Sequence, residues 1–217
     1  MFRGAVRGDL AQILKIYAHA RAAIRNPATR PNGGDNFPPQ ELLEEDIDSN
    51  RLFLYVVNGQ IEAVFAFILG ADPTYAAIED GQWLDDTLPY GTVHRLASAG
   101  KHKGVGKAVL DWSMEHCQSL RADTHADNKI MQHLLEKNGF TRCGVIHVAD
   151  GSPRFAYQKL APPSRWKHKN TKTSGAVALD FILAQQPLLF FLKSKPVLGT
   201  NADQRKGPMG TDLNANL

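Results

Sequence analysis

Residues 98–110, "SAGKHKGVGKAVL", place Gly104 and Gly106 among Lys101, Lys103 and Lys107, immediately before an apolar pattern of helical spacing. Glycines allow a ligand to come close to the backbone. Lysines add positive charge, and a helix N-terminus adds free N–H groups and a partial positive charge. Together these residues suit the holding of phosphate. Two common phosphate loops do not fit. A nucleotide-triphosphate loop needs Gly, four residues, then Gly-Lys and a Ser or Thr whose hydroxyl binds magnesium. Here five residues separate Gly100 from Gly106, and residue 108 is Ala. A dinucleotide loop needs a third Gly or Ala and follows the first strand of its unit. Here that position is Val109, and several strands precede it.

The elements that must position this loop follow from periodicity. Phe2–Ala5 is a short strand. Asp9 is placed to cap a helix whose buried face carries Ile13, Ile16, Tyr17, Ala20 and Ile24. The stretch "RNPATRPNGGDNFPP" is too rich in Pro and Gly for either element. A second helix spans Gln40–Asp48. Two apolar runs, Leu52–Val57 and Ile61–Leu69, flank Asn58-Gly59, a tight hairpin turn. Residues 70–91 form a long polar connection. Thr92–Ser98 is a strand, the glycine loop and a helix follow, and Leu120–Thr124 is a strand. A helix from Asn128 to Lys137 turns Ile130, Met131, Leu134 and Leu135 inward and ends at Asn138-Gly139. Two strands, Phe140–Ala149 and Pro153–Leu160, meet at Asp150-Gly151. The order β α α β β β α β α β β predicts an α+β fold, a mixed sheet with helices on both faces.

The loop and its surroundings resemble the GNAT superfamily of N-acetyltransferases. Lys101-His102-Lys103-Gly104-Val105-Gly106 is similar to the superfamily's acyl-CoA pyrophosphate pattern, [QR]-x-x-G-x-[GA], apart from Lys at its first position. Downstream, "LRADTHADNKIMQHLLEKNGF" repeats the superfamily's strand, Asn, helix and "GF", with Asn128 and Gly139-Phe140 in place. The resemblance covers residues 2–160, and "HRLAS" and "DTHADN" resemble small bacterial members. It implies an α/β/α fold whose mostly antiparallel sheet has splayed central strands. It implies acetyl-CoA as cosubstrate and no metal. The pantetheine arm would lie along Val93–Ser98, with backbone contacts at Leu96 and Ser98. Lys103, Gly104, Val105, Gly106 and Lys107 would hold the pyrophosphate, and Asn128 would bond the cofactor near the splay.

The implied reaction is direct attack of an amine on the thioester, which needs a base for the amine and stabilisation of the departing thiolate. His94 is the first candidate base, on a strand face shared with Leu96, and a neutral imidazole suits pH 7. His125 is the second, and Glu79 and Asp80 could act through water. Relatives carry a thiolate-protonating Tyr at the position of Leu135, and Tyr157 is a distant substitute. Arg95 and Asp123 read as a charge pair or as substrate contacts. The acceptor pocket would be lined by the first two helices, the Pro/Gly-rich loop and residues 70–91. Asp72, Glu79, Asp80, Asp85 and Asp86 make that last segment acidic, which favours a small cationic or amino-acid-like amine. A peptide amine is an acceptor of the same class. A non-catalytic acyl-CoA-binding sensor or interaction module is the alternative reading.

Composition sets the outer limits. The 217 residues are 43% hydrophobic and 22% charged, ordinary for a soluble domain. Residues 161–217 hold eight Lys or Arg against three Asp or Glu, while residues 1–160 hold 17 against 19. A slightly acidic body argues against nucleic acid as partner. Cys117 and Cys143 make neither a disulfide framework nor a zinc site, and the N-terminus lacks a signal-peptide run. The expectation is a cytoplasmic protein with the catalytic domain at 1–160. Residues 161–217 read as a basic linker, an apolar segment at 176–192 too interrupted to span a membrane, and a disordered tail. A homodimer is among the assemblies the sequence allows.

Overall fold

The computed structural model describes residues 1–24 and 37–163. The linker, apolar segment and tail expected beyond residue 163, and most of the Pro/Gly-rich loop, lie outside the described residues. Seven strands form one sheet: β1 (Phe2–Gly4), β2 (Leu52–Val57), β3 (Gln60–Leu69), β4 (Tyr90–Ser98), β5 (Ser119–Thr124), β6 (Thr141–His147) and β7 (Pro153–Leu160). Four helices accompany it: α1 (Leu10–Ile24), α2 (Gln40–Asp48), α3 (Val105–Glu115) and α4 (Lys129–Lys137). The spatial order is β1-β2-β3-β4-β5-β7-β6, and only β4 and β5 run parallel. The predicted order of elements and the mixed, mostly antiparallel sheet are both present.

Strand alternation divides the core between the two faces. Phe53, Phe65 and Phe67 point to the face covered by α3 and α4, where Val109, Leu110, Met114 and Leu135 close a cluster. Trp112 of α3 joins them, its ring 5.0 Å from Phe53 and 5.2 Å from Phe2. Leu52, Leu54, Val64 and Ala66 point to the opposite face, against Ile13, Ile16 and Tyr17 of α1 and Leu43 and Ile47 of α2. These two helices cover the half of the sheet around β2 and β3. Over β6 and β7 the cover is the 70–89 connection, whose Tyr75 and Trp83 pack on Cys143, Ile146 and Ala156.

Two local expectations are corrected. Asp9 does not cap α1. It ends a 3-10 turn (Arg7–Asp9) and reaches backward, accepting from the Val6 N–H at 2.9 Å and from both terminal nitrogens of Arg3 at 2.7 and 2.8 Å. A doubly bonded guanidinium outcompetes the free N–H groups of the helix. Ile130 is not inward but 68% exposed. The buried line of α4 runs through Leu135, with Met131 and Leu134 beside it, and Ile130 stands off that stripe.

Candidate active site

The central strands part at a definite point. β4 and β5 pair from Tyr90↔Ser119 to Val93↔Ala122, and no pair follows. The next residues are His94 and Asp123. On its other edge β4 continues beside β3 through a bulge. His94 faces Ala66, but Ala97 faces Val64, so one residue is extra on β4. Arg95 takes it up with φ of 54°. The bulge corrects one expectation, because His94 and Leu96 do not share a face. Leu96 packs with the α3/α4 core, while His94 pairs with Ala66 of the opposite face. Both still line the same cleft, because the cleft occupies the gap itself.

That cleft has a volume of about 620 Å³. His94, Arg95 and Leu96 of β4 form one wall, with Asp123, Thr124, His125 and Asn128 across the gap and Asp72 and Thr74 from the long connection. The structure thus brings both candidate bases, His94 and His125, to one cavity. Glu79 and Asp80 do not line it. The backbone of Glu79 is bridged to Val145 of β6, and its carboxylate lies 3.9 Å from His147. Asp85 and Asp86 are also elsewhere, Asp86 at 2.6 Å from Arg121. Of the acidic connection, Asp72 alone reaches the cleft. Arg95 and Asp123, expected as a possible pair, are not one. Arg95 donates to Asp46 of α2 at 2.5 Å. Burial pushes the Asp46 carboxyl up, and Arg95 offsets part of that.

His94 is held between two carboxylates. Its Nε2 lies 2.9 Å from Asp72 Oδ2 and its Nδ1 3.7 Å from Asp123 Oδ1. Asp72 is fixed in turn by the Thr74 N–H at 2.9 Å, at the start of a 3-10 turn over Pro73–Tyr75. Burial alone would raise the Asp72 carboxyl, but the His94 and Thr74 bonds outweigh it and bring it down to about 2. Asp72 is therefore an anion at neutral pH and accepts Nε2–H. This sets the tautomer and leaves Nδ1 as the basic nitrogen. Asp123 is steadied by the Tyr75 hydroxyl, which donates at 2.6 Å. Burial first, then Asp123, pushes the Tyr75 phenol well up, so it remains a donor. Two signals in the sequence pointed here: Asp72-Pro73-Thr74 has the form of a capped turn, and "RAD" in β5 puts two charges on one face of a central strand.

The glycine loop lies beside the parted strands. Gly104 precedes α3 with φ of 79°, and a Cβ there would have nothing within 4 Å. The first intrahelical bond runs from Ala108 N to Gly104 O, so the N–H groups of Val105, Gly106 and Lys107 lack an intrahelical acceptor. This is a cradle with open space, and it fits an anionic diphosphate. Gly106 has a different reason from the one expected. A Cβ there would come 2.7 Å from Leu134 of α4, so this glycine sets the packing of two helices. Val105 is buried in the core and can offer only its backbone. Lys107 pairs with Asp111 one turn on, both well exposed, and His102 sits 2.9 Å from the buried carboxylate of Glu62. Ser98 Oγ accepts from Gly100 N at 3.1 Å. Asn128 caps α4, its Oδ1 accepting from Met131 N at 3.1 Å, and it lines the cleft.

Leu135 is fully buried. Tyr157 donates to Glu136 at 3.0 Å, and burial with that bond pushes it up to about 12. It is not among the lining residues of the cleft. Both cysteines are buried, and burial raises Cys117 to about 12, so neither is a ready nucleophile. No helix of the described residues is long and apolar enough to cross a membrane.

Neither a family model nor a curated protein matches this sequence. Solved structures do. The chain is 30% identical to an acetyltransferase of the GNAT family from Streptococcus agalactiae 2603, with a TM-score of 0.66 over 75% of this chain and 95% of that one. The chain belongs to the GNAT family of acetyltransferases. A putative acetyltransferase from Staphylococcus aureus Mu50 is similar at 24% identity and a TM-score of 0.54, over 74% of this chain and 98% of that one. AAC(6')-Ib, solved with ribostamycin and coenzyme A, shares the GNAT fold at 17% identity and a TM-score of 0.53, over 80% and 98%.

Proposed function

We propose that this GNAT protein is an acetyl-CoA-dependent N-acyltransferase that transfers an acetyl group to a primary amine of a small molecule or peptide by direct attack on the thioester. The observation that carries the proposal is the position of His94 and Asp123, the first residues past the last β4–β5 pair, facing one cleft on the strand that leads into the open glycine cradle. The donor supplies an activated acyl carbon and a thiol leaving group. Lys103, the N–H groups at 105–107 and Lys107 hold its diphosphate. Beyond Val93 β4 has no β5 partner, which leaves room beside Leu96 and Ser98 for an extended pantetheine arm to add to the strand. Asp123 attracts the protonated amine. His94 Nδ1, 3.7 Å from that carboxylate, takes the amine's proton, while Asp72 holds Nε2–H and stabilises the imidazolium that forms. His125, also in the cleft, is the second candidate for this proton.

A specific observation keeps a second reading in play. With Leu135 buried and Tyr157 committed to Glu136, no tyrosine is among the described residues that line the cleft, where it could protonate the thiolate. An acyl-CoA sensor would bind donor without turnover. A thiol-release assay with acetyl-CoA and a library of amines separates the two. Release that depends on the amine supports the enzyme, and tight acetyl-CoA binding with no release from any amine supports the sensor.

A further inference from the structure

The charges around the cleft are not all neutralised from within. Asp72 faces His94, and Asp123 takes the Tyr75 hydroxyl. Arg95 is bonded to Asp46. Asp150 accepts from its own turn, at Ser152 N and Oγ, and those bonds, with a smaller contribution from the more distant Arg154 charge, hold its carboxyl low. Arg154 also lines the cleft, yet it donates no hydrogen bond and has no carboxylate within 4 Å among the described residues, and its Nε is buried without a partner. A guanidinium has five donors in a flat fork and cannot shed its charge. Its Nε is sealed from solvent, as are those of Arg51, Arg95 and Arg121, but its terminal nitrogens are not, and with no partner among the described residues they are free to meet a ligand in the cleft.

Its position relative to the proposed base is set by register. β7 pairs Ala156 with Asp123 and Phe155 with Thr124. Side chains alternate, so Arg154, two residues before Ala156, shares a face with Asp123 one step further along, beyond the end of β5. The order along the cleft floor is then a base, a carboxylate and an unsatisfied guanidinium. An acceptor that meets all three carries an amine for Asp123 and His94 and an oxyanion for Arg154.

We infer that the acceptor is a dipolar amine, bearing a carboxylate or phosphate that docks on the guanidinium of Arg154 while its amino group lies between Asp123 and His94. This rests on the acyltransferase reading of the same cleft. Neutral and purely cationic amines lack the second anchor. A carboxylate matches the fork with two parallel N–H···O bonds, and a phosphate monoester can do the same. Arg154 is then a determinant of specificity, not of the chemical step.

The test is direct binding, which does not depend on turnover. With coenzyme A present, calorimetric titration compares alanine with alaninamide and O-phosphoethanolamine with ethanolamine. At least one member bearing the oxyanion should bind about 10–100-fold more tightly than its partner lacking it, the worth of one charge-assisted bidentate contact. The pair showing the preference tells carboxylate from phosphate. Arg154→Gln should erase that preference and leave acetyl-CoA binding and the affinity of the partner lacking the oxyanion unchanged. Arg154→Lys, which keeps the charge on a similar stem, should retain part of it and guards against a folding defect in the first variant. Equal affinities within both pairs, no binding of alanine or O-phosphoethanolamine, or equal losses in Arg154→Gln for partners with and without the oxyanion would each overturn the inference. If acetyl-CoA itself binds normally in those cases, the acyltransferase reading stands. If acetyl-CoA does not bind, that reading fails first.

Discussion

Arg121 and Asp123 stand two residues apart on the same face of β5, and the chain surrounds them in opposite ways. Arg121 is 1% exposed, its guanidinium 3.9 Å from the ring centres of both Trp83 and Tyr90 and 2.6 Å from Asp86. Next to it, the Gln158 side chain ties down Leu84 N and Asp85 O. Every partner comes from the 70–91 connection or from a neighbouring strand. One turn of pleat further on, β4 has left, and Asp123 faces a cleft in company with His94 and Arg154. The end of β4–β5 pairing therefore coincides with the change from a charge enclosed by the chain to charges that line a cleft. Arg121 has its carboxylate and ring partners supplied by the chain, whereas Arg154 has no carboxylate within 4 Å among the described residues.

This contrast can be broken from either side. The largest effect belongs to the open side. His94→Ala removes the proposed base, and kcat/KM should fall about 10²–10⁴-fold, with a melting temperature close to that of the parent. A parent-like rate would move the role to His125 or to solvent. Next is Asp72→Asn, which removes the anion that fixes Nε2–H. A loss of about 100-fold in kcat is expected, with acetyl-CoA binding retained. The same variant has a signature in stability. The folded-state carboxyl of Asp72 lies at about 2, below its ordinary 3.8. Its contribution is thus complete above about pH 4 and vanishes as pH falls through 2. Urea midpoints of parent and variant should differ at pH 7 and converge between pH 4 and pH 2. A gap that persists unchanged to pH 2 would contradict the assignment. The smallest effect on catalysis belongs to the closed side. Arg121→Met should cost about 2 kcal/mol of stability through lost ring contacts and loop anchoring. Turnover at low temperature should change less than three-fold, and a loss comparable to that of His94→Ala would erase the distinction between the two sites.

The same boundary explains what the sequence could and could not reveal. The hairpin at Asn58-Gly59 and the exact spans of α2, β2 and β7 are local, set by period and punctuation, and all were legible. So was the parting of the central strands, through the resemblance carried by the glycine loop and Asn128. The acidic connection was not. Its five carboxylates looked equivalent, but tertiary routing pins residues 79–86 over β6 and around Arg121 and sends Asp72 alone to His94. Nothing local distinguishes them except the capped turn at Asp72. The face of Leu96 was misjudged because a bulge at Arg95 breaks a period of two, and a positive φ on an arginine leaves no trace in sequence. Arg154 was missed because its place at the cleft is set by the β5–β7 register, which only the fold exposes.

The central claim is that the open cradle at Gly104 beside the parted strands is the acyl-donor site. Titrating acetyl-CoA into the parent and into Gly104→Glu by calorimetry tests it most directly. The parent should bind, and the variant should lose at least about 100-fold in affinity while remaining folded. The new side chain has room, costs about 1–2 kcal/mol for its left-handed backbone, and puts a carboxylate where the diphosphate belongs. No binding by the parent, or equal affinity in the two proteins, would contradict the account.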